Sequence, residues 1–255
     1  MKRSTTIPPA IKNAASGYEA LYNNTTGNSN TASGYKALYG NNSGSSGITG
    51  NNNTAAGSGA LYSNTTGNSN LANGYQALYS NTTGDNNMAT GALALYSNTT
   101  GFYNMANGSN AMVHNTEGSY NVAEGLNALR LNTIGNSNTA VGLSAMLNNT
   151  TGGANIALGG SAGSSLTTGS YNIDIGNVGV AAESNTIRIG KVGTQQATFI
   201  AGISGKTVAA GVAVVVDTNG KGQRSNPGAQ TSDLPLQARP GSQGCSAVWP
   251  GCRRS

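Results

Sequence analysis

Charge, aromatic bulk and long apolar runs are all scarce in this chain, and each scarcity removes a class of function. Charged residues make up 8% and aromatics 5%, so bulky apolar side chains are too few to fill a deep globular core at organic-crystal density. No apolar run is long enough to span a bilayer, which argues against membrane insertion by this chain. The start, MKRSTTIPPAIKNAASGYEALY, is basic but lacks the apolar stretch of a secretory signal peptide. Cysteine is confined to Cys245 and Cys252 in a Pro/Gly setting, and the C-x6-C spacing matches no strong metal pattern.

The net charge of +5 misleads about partners. Between Asn13 and Gly220 there are five Lys/Arg (Lys36, Arg130, Arg188, Lys191, Lys206) against seven acids. The surplus sits at the ends, in Lys2, Arg3 and Lys12, then in Lys221, Arg224, Arg239, Arg253 and Arg254. Nucleic-acid binding needs a clustered basic face, and the body has none, so no nucleic-acid partner is expected.

What the chain does have is a repeat. GSGALYSNTTG, GYQALYSNTTG and GALALYSNTTG follow one another at intervals of seventeen residues. The unit is N-x-A-x-G-x-x-A-L-x-x-N-T-T-G-x-x. Its central glycine falls at Gly17, Gly34, Gly57, Gly74, Gly91, Gly108, Gly125, Gly142, Gly159 and Gly176. Every step is seventeen except that from Gly34 to Gly57, which is twenty-three. The six extra residues read as a loop inserted near 44–53. The second glycine keeps the beat at Gly27, Gly44, Gly67, Gly84 and onward.

Paired-helix repeats need about 33 to 47 residues, and Gly, Asn and Thr are weak helix formers. One coil of a β-solenoid fits better, with two short strands and two turns per coil. N-x-A-x-G alternates as a strand does, and N-T-T-G is turn chemistry, its Gly suited to positive φ and its Asn tolerant of it.

Stacking the coils sets equivalent residues in columns. One is Asn30, Asn53, Asn70, Asn87, Asn104, Asn121, Asn138, Asn155 and Asn172, a candidate structural ladder of side-chain amides along the axis. An Ala column (Ala15, Ala32, Ala55 to Ala157) and a Leu/Met column (Leu21, Leu38, Leu61, Leu78, Leu95, Met112, Leu129, Met146) are the candidates for the interior. So thin an interior predicts that the chain associates with other copies.

GNSNTASGYKAL, GNSNTAVGLSAM and GGANIALGGSAG resemble the repeats of YadA-like trimeric adhesin heads, best at Asn138–Gly142 and Asn155–Gly159. The resemblance covers residues 13 to about 190. It implies a left-handed parallel β-roll, three rolls side by side, and an extracellular place on a cell surface or virion. The unit of seventeen is longer than the usual head repeat. SNTIRIGKVGTQQATFIAGISGKTVAAGVAVVVDTNGK, Ser184 to Lys221, resembles the neck of phage tail fibres that precedes an endosialidase-type intramolecular chaperone, a domain that drives trimerisation and then cleaves itself off. Its residues read as alternating apolar strands, with Ile187, Ile189, Phe199, Ile200, Val212, Val214 and Val216, and with DTNG at Asp217–Gly220 as a hairpin signal. After Lys221 the composition changes abruptly, with four of the six prolines and both cysteines, and no chaperone pattern follows. That segment reads as a disordered tail, or as one made by a frameshift or fusion.

Tyr22, Tyr39, Tyr62, Tyr79 and Tyr96 form one aromatic column, with Tyr18, Tyr35 and Tyr75 beside it. Stacked rings stabilising the roll or a subunit interface are one reading, and a contact stripe for a host glycan or protein is the other. The Thr pairs of N-T-T-G raise ice binding, but adjacent Thr residues in a strand face opposite ways, which favours a turn role. His114, the sole histidine, takes the place of Ser63, Ser80 and Ser97 in other coils and reads as solvated. The acids Glu19, Asp85, Glu117, Glu124, Asp174 and Glu183 show no motif spacing. No catalytic residue, metal site or cofactor is therefore expected.

The sequence predicts an all-β chain: a lead at 1–12, a parallel β-roll of about ten 17-residue coils over 13–183, a β neck over 184–221, and the tail at 222–255. The function expected is a structural and adhesive segment of a homotrimeric surface or tail fibre, held to host surfaces by repeated weak contacts. The alternative is a monomeric ice- or glycan-binding solenoid.

Overall fold

The computed structural model describes residues 12–40, 49–191, 193–195, 214–216 and 222–224. The chain divides into two units, Met1–Gln196 and Ala197–Ser255. In the first, eleven strands of three residues pair in chain order into one parallel sheet. They are β1 (Ala14–Ser16), β2 (Thr31–Ser33), β3 (Thr54–Ala56), β4 (Leu71–Asn73), β5 (Met88–Thr90) and β6 (Met105–Asn107). Then come β7 (Val122–Glu124), β8 (Thr139–Val141), β9 (Ile156–Leu158), β10 (Ile173–Ile175) and β11 (Ile187–Ile189). This is a parallel β-solenoid of about ten turns, with no helix among the described residues.

Each coil holds one strand, not the two expected. Strict alternation ends at the central glycine: after Gly74 (φ 149) the backbone enters the left-handed region at Gln76 (φ 52) and again at Leu78 (φ 52). An extended strand cannot contain such residues. The backbone still bonds coil to coil outside the strand, Leu78 N–H donating to Ala94 O at 3.0 Å and Ser80 N–H to Tyr96 O at 3.0 Å. Coil-to-coil hydrogen bonding therefore runs through the corners as well as the strand.

The corner explains the interior. Ala77 and Leu78 are adjacent and both fully buried, which a straight strand forbids because successive side chains point to opposite faces. The left-handed turn of the backbone at Leu78 brings both inward, at a conformational cost of about 1 kcal/mol per residue. Each inner coil thus fills its centre with two alanines, such as Ala72 and Ala77, and one leucine or methionine. The column Ala37, Ala60, Ala77 to Ala162 lies inside with the expected Ala32-to-Ala157 column. Ala15 departs from the expectation: it is exposed, since no described coil covers the outer edge of β1.

The glycine of N-T-T-G serves close approach rather than positive φ. A Cβ on Gly84 would lie 2.3 Å from Gly101 O of the next coil, and Gly84 is absent from the positive-φ residues. The inserted loop is also displaced from the expected 44–53. Gly50, not Gly44, takes the column position, accepting from Asn30 Nδ2 at 2.8 Å, and Asn53 is in the regular register. The extra residues lie between Gly40 and Thr49, in a segment outside the described residues.

At the other end, β11 pairs in parallel with β10 after a shorter step, Ile173 opposite Ile187 and Ile175 opposite Ile189. Ile187 and Ile189, expected as the first strand of the neck, therefore belong to the solenoid sheet. Phe199, Ile200 and Val212 lie outside the described residues. In the second unit β12 (Val214–Val216) pairs antiparallel with β13 (Gly222–Arg224). These strands flank the expected DTNG hairpin, whose own residues are outside the described set.

Candidate functional site

The asparagine column starting at Asn30 is buried throughout and works through backbone partners. Asn70 N–H donates to Asn53 Oδ1 at 2.9 Å, Asn87 N–H to Asn70 Oδ1 at 2.9 Å, and so on to Asn172. Its Nδ2 groups turn to backbone carbonyls, Asn70 to Gly84 O at 2.8 Å and, at the end of the column, Asn172 to Glu183 O at 2.8 Å. Direct amide-to-amide bonds in this column are long, as between Asn104 and Asn87 at 3.2 Å.

The tighter amide ladder is one that the sequence reading assigned to turn chemistry. Asn64, Asn81, Asn98, Asn115, Asn132 and Asn149 of N-T-T-G are fully buried. Asn81 Nδ2 donates to Asn64 Oδ1 at 2.8 Å, and the pattern repeats to Asn149, which donates to Asn132 Oδ1 at 2.9 Å. Asn149 Oδ1 ends the ladder without a donor, because Leu166 stands in the next coil. Leu166 is buried and covers the space left by Gly163, whose Cβ would lie 3.1 Å from Met146 Cγ. The signal was the recurrence of N-T at the seventeen-residue step from Asn64 to Asn149.

The tyrosine column is a continuous stack. Ring centroids are 5.6 Å apart from Tyr22 to Tyr39, 5.0 Å to Tyr62, 4.8 Å to Tyr79 and 5.2 Å to Tyr96. Burial within the stack, and then the neighbouring phenols of Tyr62 and Tyr96, hold the Tyr79 hydroxyl above its ordinary pKa. Beside it Tyr18 stacks on Tyr35 at 5.5 Å. Tyr22, Tyr18, Tyr35 and Tyr75 are exposed. Lys36 lies over this surface, its Nζ 5.4 Å from the Tyr35 ring and 5.1 Å from the Tyr39 ring, and 3.4 Å from Glu19 Oε2.

The threonines divide. The first of each pair points its hydroxyl along the stack, Thr82 Oγ1 donating to Thr99 O at 3.1 Å and Thr99 Oγ1 to Thr116 O at 3.0 Å. The second, as in Thr66, Thr83, Thr100 and Thr151, is exposed, with Glu117 and Ile134 interrupting its column. One outward Thr per coil does not make the two-file array that a flat ice-matching face needs. His114 is exposed.

Outward positions of the sheet change character along the stack. β1 to β3 present small or polar residues such as Thr31, Ser33 and Thr54. One outward file turns apolar from β4 with Leu71, Met88, Met105 and Val122 and, after Thr139, continues with Ile156, Ile173 and Ile187. The other turns apolar only from β8, with Val141, Leu158, Ile175 and Ile189, so that both files are apolar together in β9 to β11. Ile187 is 66% exposed and Ile189 71% exposed.

A charged cluster closes the stack, and no motif spacing marks it, because Asp174 and Arg188 are brought together by strand pairing at the shortened step. Asp174 occupies the alanine column, is buried, and neither carboxylate oxygen has a hydrogen-bond donor. Burial, and then the Glu183 carboxylate, push its pKa up to about 6. Arg188 is its partner in strand register, yet it pairs with Glu183, its Nε 2.9 Å from Oε1 and its Nη2 2.6 Å from Oε2. That pairing holds Glu183 below the ordinary carboxylate range. Among the described residues no group of three or more His, Cys, Asp or Glu is placed to hold a metal ion, and no helix is long and apolar enough to cross a membrane. No protein-family model matches the chain, and no curated protein is similar to it in sequence.

Proposed function

We propose that this chain is a structural and adhesive segment of a homotrimeric surface or tail fibre, in which three solenoids associate side by side. The observation that carries the reading is the run of apolar side chains on the outer face of β8 to β11. Contiguous exposed apolar surface on a chain this poor in apolar bulk fits an interface with other copies. The interior alanines are enclosed within each coil and cannot serve as that interface, so the sheet face takes the role. The remaining surface, with tyrosines stacked over the five successive coils from Tyr22 to Tyr96, suits attachment by many weak contacts to host glycans or proteins outside the cell. Nothing in the reading calls for catalysis, a cofactor or nucleic acid.

Light scattering on a size-exclusion column tests the reading. The fibre predicts a mass near three times the 25.4 kDa chain. A folded species of single-chain mass would overturn it in favour of a solenoid that binds its ligand as a monomer.

A further inference from the structure

The second tyrosine column has one gap in it. Tyr18, Tyr35 and Tyr75 occupy successive coils except one, where Ser58 stands in the column and Gly59 follows. Tyr35 and Tyr75 flank the vacancy on either side in the column, and both line a groove of about 300 Å³ bounded also by Lys36, Gln76, Tyr62 and Tyr79. Two coil steps at the usual inter-strand spacing put the Tyr35 and Tyr75 rings about 9 to 10 Å apart. That leaves room for one ring lying parallel to both. The neighbouring column shows the same stacking with every place filled, at 5.0 and 4.8 Å between Tyr39, Tyr62 and Tyr79.

The backbone does not demand Gly59. Its φ is +67, and the equivalent residues Lys36, Gln76, Leu93 and Asn110 adopt the same left-handed conformation with side chains in place. A Cβ there would meet Gln76 Cγ at 3.3 Å and the Tyr79 ring at 3.4 Å. Ser58 therefore leaves the place of a ring open between Tyr35 and Tyr75, and Gly59 leaves the Gln76 and Tyr79 side chains uncovered.

We propose that this gap is a binding slot for a single hexopyranose unit of a surface glycan. The two facing tyrosines offer flat apolar surfaces for the C–H faces of a sugar ring. The rim offers hydrogen-bonding groups for its hydroxyls: the Lys36 ammonium, the Gln76 amide, the Ser58 hydroxyl and the phenols. Lys36 spends one direction on Glu19 and keeps further donors. An aromatic side chain of a protein partner would stack equally well but would leave that polar rim unpaired, which disfavours it. The inference deepens the attachment role proposed above and rests on it.

Saturation-transfer NMR on the full chain tests the slot, using methyl pyranosides of glucose, galactose, mannose and N-acetylglucosamine, with p-cresol as the aromatic comparison. The expected result is transfer to the ring C–H protons of at least one pyranoside. Ser58→Tyr, which restores the residue carried by the coils on either side, should weaken that binding at least tenfold while the chain keeps its mass and thermal midpoint. Ser58→Tyr with Gly59→Gln, reproducing Tyr75-Gln76, is the second variant and should do the same. Transfer from none of the sugars, transfer undiminished in both variants, or binding of p-cresol alone would overturn the slot. Mass measured on the same samples separates the two ideas: a trimer that binds no sugar removes the slot alone, and a sugar-binding monomer removes the fibre alone.

Discussion

Asn98 places its side chain wholly in the service of its neighbours. Its Nδ2 donates to Asn81 Oδ1 at 2.8 Å and Gly101 O at 2.9 Å, and its Oδ1 accepts from Asn115 Nδ2 at 2.8 Å. Asn98→Ala removes all three bonds, strands the buried Asn81 Oδ1 and leaves Asn115 Nδ2 with Gly118 O alone, so urea denaturation should show a loss of about 2–3 kcal/mol. Asn73→Ala, on the exposed face of β4, should stay within about 0.5 kcal/mol. Asp174 gives a different signature. Its folded pKa of about 6 lies above the 3.8 of an unperturbed aspartate, so the folded state binds more protons than the unfolded one between those values. Stability is then highest below pH about 4 and falls as pH rises to about 6, by about 1–3 kcal/mol from this group. Asp174→Ala restores the column's usual residue and should raise the denaturation midpoint at pH 7 and flatten that slope. A variant with an unchanged slope would mean that the burial of Asp174 is relieved by other means.

At the scale of the coil, the glycines set the spacing. Gly84→Ala forces a Cβ toward Gly101 O, where the backbone cannot yield without lifting the next coil. A loss of about 3 kcal/mol or more is expected in thermal or urea unfolding. Gly160→Ala, with no atom near its would-be Cβ, should be neutral within about 0.5 kcal/mol. The period, the parallel stacking and the Ala and Leu columns were legible because each column repeats its residue, and a single coil's pattern then fixes all ten. The absence of a second strand was not, because nothing in the letters distinguishes a left-handed Leu78 from an extended one. The Asn98 ladder was hidden for a related reason: N-T-T-G is good turn chemistry and good ladder chemistry at once. The proposed slot at Ser58 and Gly59 becomes visible only when Tyr35 and Tyr75 are set in register across it. Asp174 and Arg188 came together through strand pairing at a shortened step, which the seventeen-residue count did not anticipate.

At the scale of the whole molecule, the question is what covers the outer face of β8 to β11. In the solenoid the apolar interior and the apolar outer face are separate surfaces: Ala157 is enclosed, while Ile156 and Leu158 on either side of it look outward. This makes assembly separable from folding, because an outward side chain can change charge without touching the interior. Leu158→Lys and Ile187→Lys place lysines on that face, at positions 37% and 66% exposed in the single chain. The measurement that reaches the centre of the proposal is therefore the solution mass of the full-length Leu158→Lys, Ile187→Lys double variant beside the unaltered chain, with circular dichroism on both. Three associated solenoids predict a fall from about three chain masses to one with the β spectrum retained. A double variant that keeps the full assembled mass would contradict the placement of the interface on this face.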